Sequence, residues 1–88
     1  SGKATIIDVR GADEYRTGHI EQAVSLPMGQ LFKKLDLIPP RQQVIVHCGG
    51  GLRSQVVASM LQRVGFTNIR NMIGGIDAWK RAGLPIVK

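Results

Sequence analysis

The sequence predicts an α/β fold, a parallel central sheet with helices on both of its faces. Two observations carry that prediction. Short β-branched apolar runs alternate with amphipathic stretches along the whole chain, as in strand–helix–strand units joined by right-handed crossovers. The run Val44-Ile45-Val46-His47 is apolar on successive residues, which suits a central strand covered on both faces. With 88 residues, 43% of them hydrophobic and 20% charged, the chain reads as one globular domain over residues 1–88 with no room for a second core.

The elements follow in order. Residues 4–9 are short, apolar and β-branched, and read as a buried strand ending at a polar turn. Asp13 and Glu14 then supply the acidic first turn of a helix, Arg16 its basic last turn and Gly18 its stop. Residues 20–26 return as a second strand, closed by Pro27. Residues 28–37 place Leu31, Phe32 and Leu35 on one face and Lys33-Lys34 on the other, predicting an amphipathic helix ended by Pro39-Pro40. After the central strand, Gly49-Gly50-Gly51 breaks the chain. Leu52, Val56, Val57, Met60, Leu61 and Val64 then recur at helical spacing until Gly65. Residues 66–72 read as a strand, Gly74-Gly75 as a turn, and residues 76–81 as a last short helix stopped by Gly83.

Twelve Lys and Arg against six Asp and Glu give a formal charge of +6, which favours anionic partners in general. The basic residues are spread along the chain without interleaved aromatics, so Lys33-Lys34 and Lys80-Arg81 read as solvated helix faces and no nucleic-acid partner is expected. Cys48 is the single cysteine, which excludes an internal disulfide framework and any metal site built on paired thiolates. A lone thiol, with neither a signal-peptide pattern nor an apolar span long enough to cross a bilayer, predicts a cytoplasmic domain without a membrane segment. The opening Ser1-Gly2-Lys3 runs straight into the first strand, as in an excised or trimmed domain.

Cys48 sits where a parallel strand hands over to a helix, the place at which open α/β sheets bind ligands. A glycine-rich turn there lets successive backbone N–H groups converge, and the helix N-terminus adds partial positive charge. A thiolate is an anion, so this position predicts a lowered thiol pKa and a nucleophile. Arg53 adds a planar fork of donors suited to a tetrahedral oxyanion. The competing reading is a buried structural cysteine; three glycines and an arginine directly after it speak against that.

Three groups of residues resemble the rhodanese-like sulfurtransferases. Asp8-Val9-Arg10, Glu14-Tyr15, Gly18-His19-Ile20, Ala23 and Leu26-Pro27 are similar to the family's first signature. Cys48-Gly49-Gly50-Gly51-Leu52-Arg53-Ser54 is similar to its active loop, C-x-x-G-x-R-S, and Gly74-Gly75-Ile76-Asp77-Ala78-Trp79 with Gly83-Leu84-Pro85 to its closing motifs. The resemblance implies a three-layer α/β/α fold and a sulfur carrier that needs no metal or organic cofactor. It further implies that Cys48 takes sulfur from a small anionic donor such as thiosulfate, holds it as a persulfide against the backbone N–H groups of Gly49, Gly50, Gly51, Leu52 and Arg53, and passes it to cyanide or a thiol. Four residues separate Cys48 from Arg53, and the resemblance links that short loop to sulfur transfer; related phosphatases and arsenate reductases use a loop one residue longer. The family usually opens with a further strand and short helix ahead of Asp8-Val9-Arg10. Their absence before Ala4 points to a trimmed or excised domain, either free-standing or fused to or partnered with a larger sulfur-handling protein, and leaves open how the edge of its first strand is covered.

Other residues take supporting readings. Asp8 and Arg10, at the end of the first strand, are expected to brace the active loop, as is Ser54; Arg10 is also spaced to pair with Glu14. His47, next to Cys48 on a strand, is expected to point away from the sulfur, His19 to hold the turn into the second strand, and Trp79 to lie against the sheet. Many active members carry a basic or polar residue just after the cysteine. Gly49-Gly50 here implies a less positive pocket, weaker thiosulfate binding and a preference for persulfide or protein donors. Two other classes remain open: a non-catalytic binding module, which Cys48 opposes, and a redox sensor, which would not need Arg53.

Overall fold

The computed structural model describes residues 4–88; the opening Ser1-Gly2-Lys3 lies outside them. Four strands, β1 (Thr5–Asp8), β2 (Ala23–Ser25), β3 (Val44–His47) and β4 (Ile69–Asn71), form one sheet in the order β2-β1-β3-β4. Every pairing is parallel. The helices are α1 (Ala12–Thr17), α2 (Met28–Leu31), α3 (Leu52–Arg63) and α4 (Gly75–Arg81), with a single 3₁₀ turn over Leu35–Leu37. No helix among the described residues is long and apolar enough to cross a membrane.

Alternating side chains send the sheet into two apolar layers, as the predicted fold class requires. Ile7, Val44, Val46 and Ile69 face one side with Leu31, Val57 and Leu61 from α2 and α3. Ile6, Ala23 and Met72 face the other with Tyr15 and Trp79 from α1 and α4. Trp79 thus lies over the sheet, its indole N–H donating to Pro85 O at 2.9 Å. His19 holds the turn before β2: its Nδ1 lies 2.8 Å from Tyr15 O, and its backbone exchanges two 2.8 Å hydrogen bonds with Val87.

One open point is answered and three expectations change. β1 lies between β2 and β3, so it has no open edge to cover; the sheet's edges are β2 and β4. The single helix expected over residues 28–37 is two pieces. Gly29 near its start and Pro39-Pro40 at its end leave too little length for an independent helix, and Lys33, Lys34, Leu37 and Ile38 donate to carbonyls three residues back. Phe66 belongs to the end of α3 rather than to a strand. With Gly65 at φ +112, the Gly65 N–H bonds Gln62 O at 3.2 Å and the Phe66 N–H bonds Leu61 O at 3.1 Å, the six-to-one and five-to-two closure of a helix C-terminus. The apolar face of α3 also divides. Val57 and Leu61 are buried together with the small Ser54 and Ala58, whereas Leu52, Val56, Met60 and Val64 lie exposed one turn apart.

Candidate active site

The register places His47 beside Asp8, so β1 and β3 end level and the loop after β3 opens at the carboxyl edge of the sheet. Cys48 forms the floor of that loop, 1% exposed. Gly49-Gly50-Gly51 then turns the chain into α3. Gly51 adopts φ +104 and lies so close to Gly74 that a Cβ would stand 3.2 Å from the Gly74 nitrogen, which is why glycine is required there.

The turn aims donors at the sulfur. The Gly51 N–H lies 3.2 Å from Sγ, the Ser54 N–H 3.4 Å and the Ser54 hydroxyl 3.5 Å. The resemblance implies that the N–H groups of residues 49–53 hold the outer sulfur of a persulfide; around the free thiol itself, the N–H groups nearest Sγ are those of Gly51 and Ser54. Ser54 is wholly buried, and its Oγ also lies 2.5 Å from Asn71 Oδ1 and 3.3 Å from Gly51 O. The one hydroxyl hydrogen has both Cys48 Sγ and Asn71 Oδ1 in reach, whereas the two N–H groups donate to sulfur in either case. Burial alone would push the Cys48 thiol up. Donation from the Ser54 hydroxyl and the N–H groups of Ser54, Gly51 and Arg53 outweighs it, leaving the thiol below its ordinary value.

Helix α4 holds the loop from behind. The Ile76 N–H donates to Cys48 O and the Asp77 N–H to Gly49 O, each at 3.0 Å. These two bonds fix the peptide units that lead into Gly51, the first residue of the turn whose N–H reaches the sulfur. Asn71, which bonds Ser54, and the Gly74-Gly75 turn are site residues that the sequence reading missed. The closing Gly74-Gly75 pair was the available signal, whereas nothing local marked Asn71.

Asp8 and Arg10 lie under the loop without bonding it. Arg10 makes a bidentate pair with the Asp8 carboxylate, the shortest contact being 2.8 Å, and donates to Gly18 O at 2.8 Å. Both residues are buried, so their charges satisfy each other and tie α1 to the end of β1. The expected support of the loop takes no direct hydrogen bond from either residue, and the nearest neighbour they share with it is His47. That ring is fully buried and turned from the sulfur as expected, with Nδ1 3.2 Å from Cys48 O and Nε2 3.7 Å from the Asp8 carboxylate. Burial lowers the His47 pKa against the opposing pull of Cys48 O and Asp8.

Arg53 projects from the first turn of α3 across Gly49, whose added Cβ would lie 3.4 Å from Nη2. The Glu14 carboxylate raises the Arg53 pKa, with a smaller contribution from Cys48. The Arg53 fork is taken by Glu14: Nη1 donates to Oε1 at 2.8 Å and Nη2 to Oε2 at 3.1 Å. The expected local pair of Arg10 with Glu14 does not form. Leu52 offers backbone only to the loop, and its side chain is 78% exposed. Among the described residues no cluster of three or more His, Cys, Asp or Glu side chains could hold a metal ion.

The chain is similar to known proteins in both sequence and fold. A family model described as a rhodanese-like domain matches residues 1–82. The chain is 37% identical over 82 residues to a sulfurtransferase of Allochromatium vinosum, covering 93% of this chain and 77% of that one. It is 35% identical over 83 residues to thiosulfate sulfurtransferase GlpE of Actinobacillus pleuropneumoniae, covering 94% and 77%. A solved rhodanese-related protein from Thermoplasma volcanium superposes with a TM-score of 0.89 at 31% identity, over 96% of this chain and 83% of that one. A match along nearly the whole length, in sequence and in fold, has one reading: the chain belongs to the rhodanese-like domain family.

Proposed function

We propose that this domain is a sulfurtransferase that carries sulfane sulfur on Cys48. The observation that bears most weight is the cradle: the Gly51 and Ser54 N–H groups lie 3.2 and 3.4 Å from Sγ, at the end of a parallel strand. Relatives named sulfurtransferase and thiosulfate sulfurtransferase, at 37% and 35% identity, support the same class. In the first step the Cys48 thiolate attacks the outer sulfur of the donor. With thiosulfate the S–S bond breaks, sulfite leaves with its electron pair, and a cysteine persulfide anion remains. The persulfide anion forms in the same turn of N–H groups that favours the thiolate, with its charge on the outer sulfur one bond beyond Sγ. In the second step cyanide or a thiol attacks the outer sulfur, and the Cys48 thiolate leaves.

Intact mass spectrometry after incubation with thiosulfate tests this reading. One added sulfur atom is expected, lost on cyanide treatment as thiocyanate forms. A chain that gains no sulfur from thiosulfate, from an organic persulfide or from mercaptopyruvate is not a sulfurtransferase, and the module or sensor reading takes its place.

The lowered thiol pKa sets a pH dependence. The thiolate is the reacting form, so kcat/KM for loading rises with pH through the folded thiol value and levels off below pH 9, the ordinary value for the group. Stopped-flow loading rates from pH 5 to pH 10 measure this. A rate still climbing through pH 9 would mean that the N–H donors do not lower the thiol.

A further inference from the structure

Glu14 stands outside the sulfur cradle, yet both of its carboxylate oxygens engage the one guanidinium beside Cys48, at 2.8 and 3.1 Å. Its position is built. Glu14 is the third residue of α1, and Oε1 also accepts the Gly11 N–H at 3.0 Å, so the helix start fixes the carboxylate from one side and Arg53 from the other. Arg53 holds the Glu14 carboxyl down to about 2, with the Gly11 N–H adding to the effect, so Glu14 is ionised at every pH the domain would meet. Both side chains are nearly half exposed, 44% and 46%, and an ion pair so exposed contributes little to folding.

Its consequence lies in recognition. Two parallel N–H donors are what a guanidinium offers to a sulfonate-like oxyanion, and here a carboxylate already fills them. A second carboxylate stands nearby, with Asp77 Oδ2 3.9 Å from where a Cβ on Gly50 would be. The rim of the loop therefore carries Arg53 with Glu14 and Asp77, one positive charge against two negative ones. A dianion arriving at this rim must displace Glu14 and approach like charge; a donor with less negative charge meets less opposition.

We propose that Glu14 is a specificity-determining positioning residue, whose carboxylate occupies the Arg53 fork and turns sulfur loading away from small dianions such as thiosulfate and toward less charged organic thiosulfonates and persulfides. The inference rests on the sulfurtransferase reading. Two donors that react by the same cleavage test it: thiosulfate is a dianion that releases sulfite, and benzenethiosulfonate is a monoanion that releases the sulfinate. Glu14→Gln is expected to lower the KM for thiosulfate about tenfold and that for benzenethiosulfonate about twofold, with kcat for both nearly unchanged. A thiosulfate KM that stays or rises, or an equal gain for both donors, overturns the inference.

A binding measurement separates this inference from the reading beneath it. Calorimetric titration of thiosulfate into Cys48→Ser, with and without Glu14→Gln, involves no sulfur transfer. Binding about tenfold tighter in the double variant supports the role of Glu14. Equal affinity overturns it, whatever the chain does with sulfur. Tighter binding by the double variant, in a protein whose Cys48 never gains sulfur, would leave Glu14 as the gate of an anion site and remove the sulfurtransferase reading alone.

Discussion

Cys48→Ser is expected to abolish thiocyanate formation from thiosulfate and cyanide, a loss in kcat on the order of 10⁶-fold, the scale seen when a covalent mechanism loses its nucleophile. The fold should survive, because serine has nearly the same shape and its oxygen still accepts the Gly51 and Ser54 N–H groups that point at Sγ. What disappears is the reacting atom: a hydroxyl stays protonated where the thiol ionises, and oxygen cannot hold the persulfide. Thiocyanate formation and far-ultraviolet circular dichroism on the same sample read the two properties separately. A folded variant that still turns over would remove Cys48 as the sulfur carrier.

The same substitution carries a second, signed expectation. The folded thiol titrates below its unfolded value near pH 9. A group depressed in this way contributes stability that is fully present above the unfolded value and is lost as pH falls through the folded one. The wild type should therefore gain on Cys48→Ser as the pH of a urea unfolding series rises toward 9. A difference independent of pH would mean that the N–H groups do not favour the thiolate.

What the sequence made legible is what depends on neighbours along the chain. The β-branched run at Val44–His47 is a strand with the predicted bounds, and glycine signals placed the start of α3 to the residue and its end to within two. Cys48 followed, because a strand that ends and a helix that begins locate the loop between them. The inward face of α3 was less legible. Leu52, Val56, Met60 and Val64 form one apolar stripe and Val57 and Leu61 begin another, and periodicity does not say which stripe meets the sheet. Close approach at the loop decides it: Ser54 and Ala58 are small enough to be buried there, and Ser54 finds hydrogen-bonding partners. Pairs distant in sequence were not legible at all. Glu14 and Arg53 are 39 positions apart, and spacing suggested Arg10 as the partner of Glu14 instead. Arg10 is drawn off by Asp8 and Gly18 O, a preference that only the packed end of β1 creates.

Gly75→Ala should be the most damaging change outside Cys48. Gly75 opens α4 at φ +58, a left-handed conformation that costs an alanine about 1–2 kcal/mol. Strain is the smaller part. A Cβ there would stand 2.4 Å from Gly49 O and 2.5 Å from Cys48 O, and both are backbone atoms without a rotamer through which to escape. To admit the methyl group, the loop must leave α4 and lose the Ile76 N–H bond to Cys48 O and the Asp77 N–H bond to Gly49 O. At about 1 kcal/mol each, these bring the expected loss to about 3–4 kcal/mol. Against a total stability of about 5–15 kcal/mol, that is a large fraction for a domain of this size. The loop carbonyls would no longer be held, the N–H groups would turn from Sγ, and loading should fall with stability. Gly83→Ala is the control. Gly83 also has a positive φ, +76, but a Cβ there meets nothing within 4 Å, so only the conformational cost applies. Urea unfolding of both variants should give a loss of about 1–2 kcal/mol for Gly83→Ala with sulfur loading intact, and a loss about two- to threefold larger with loading impaired for Gly75→Ala. Equal losses would mean that conformational strain explains both, and that α4 does not shape the loop that holds Cys48.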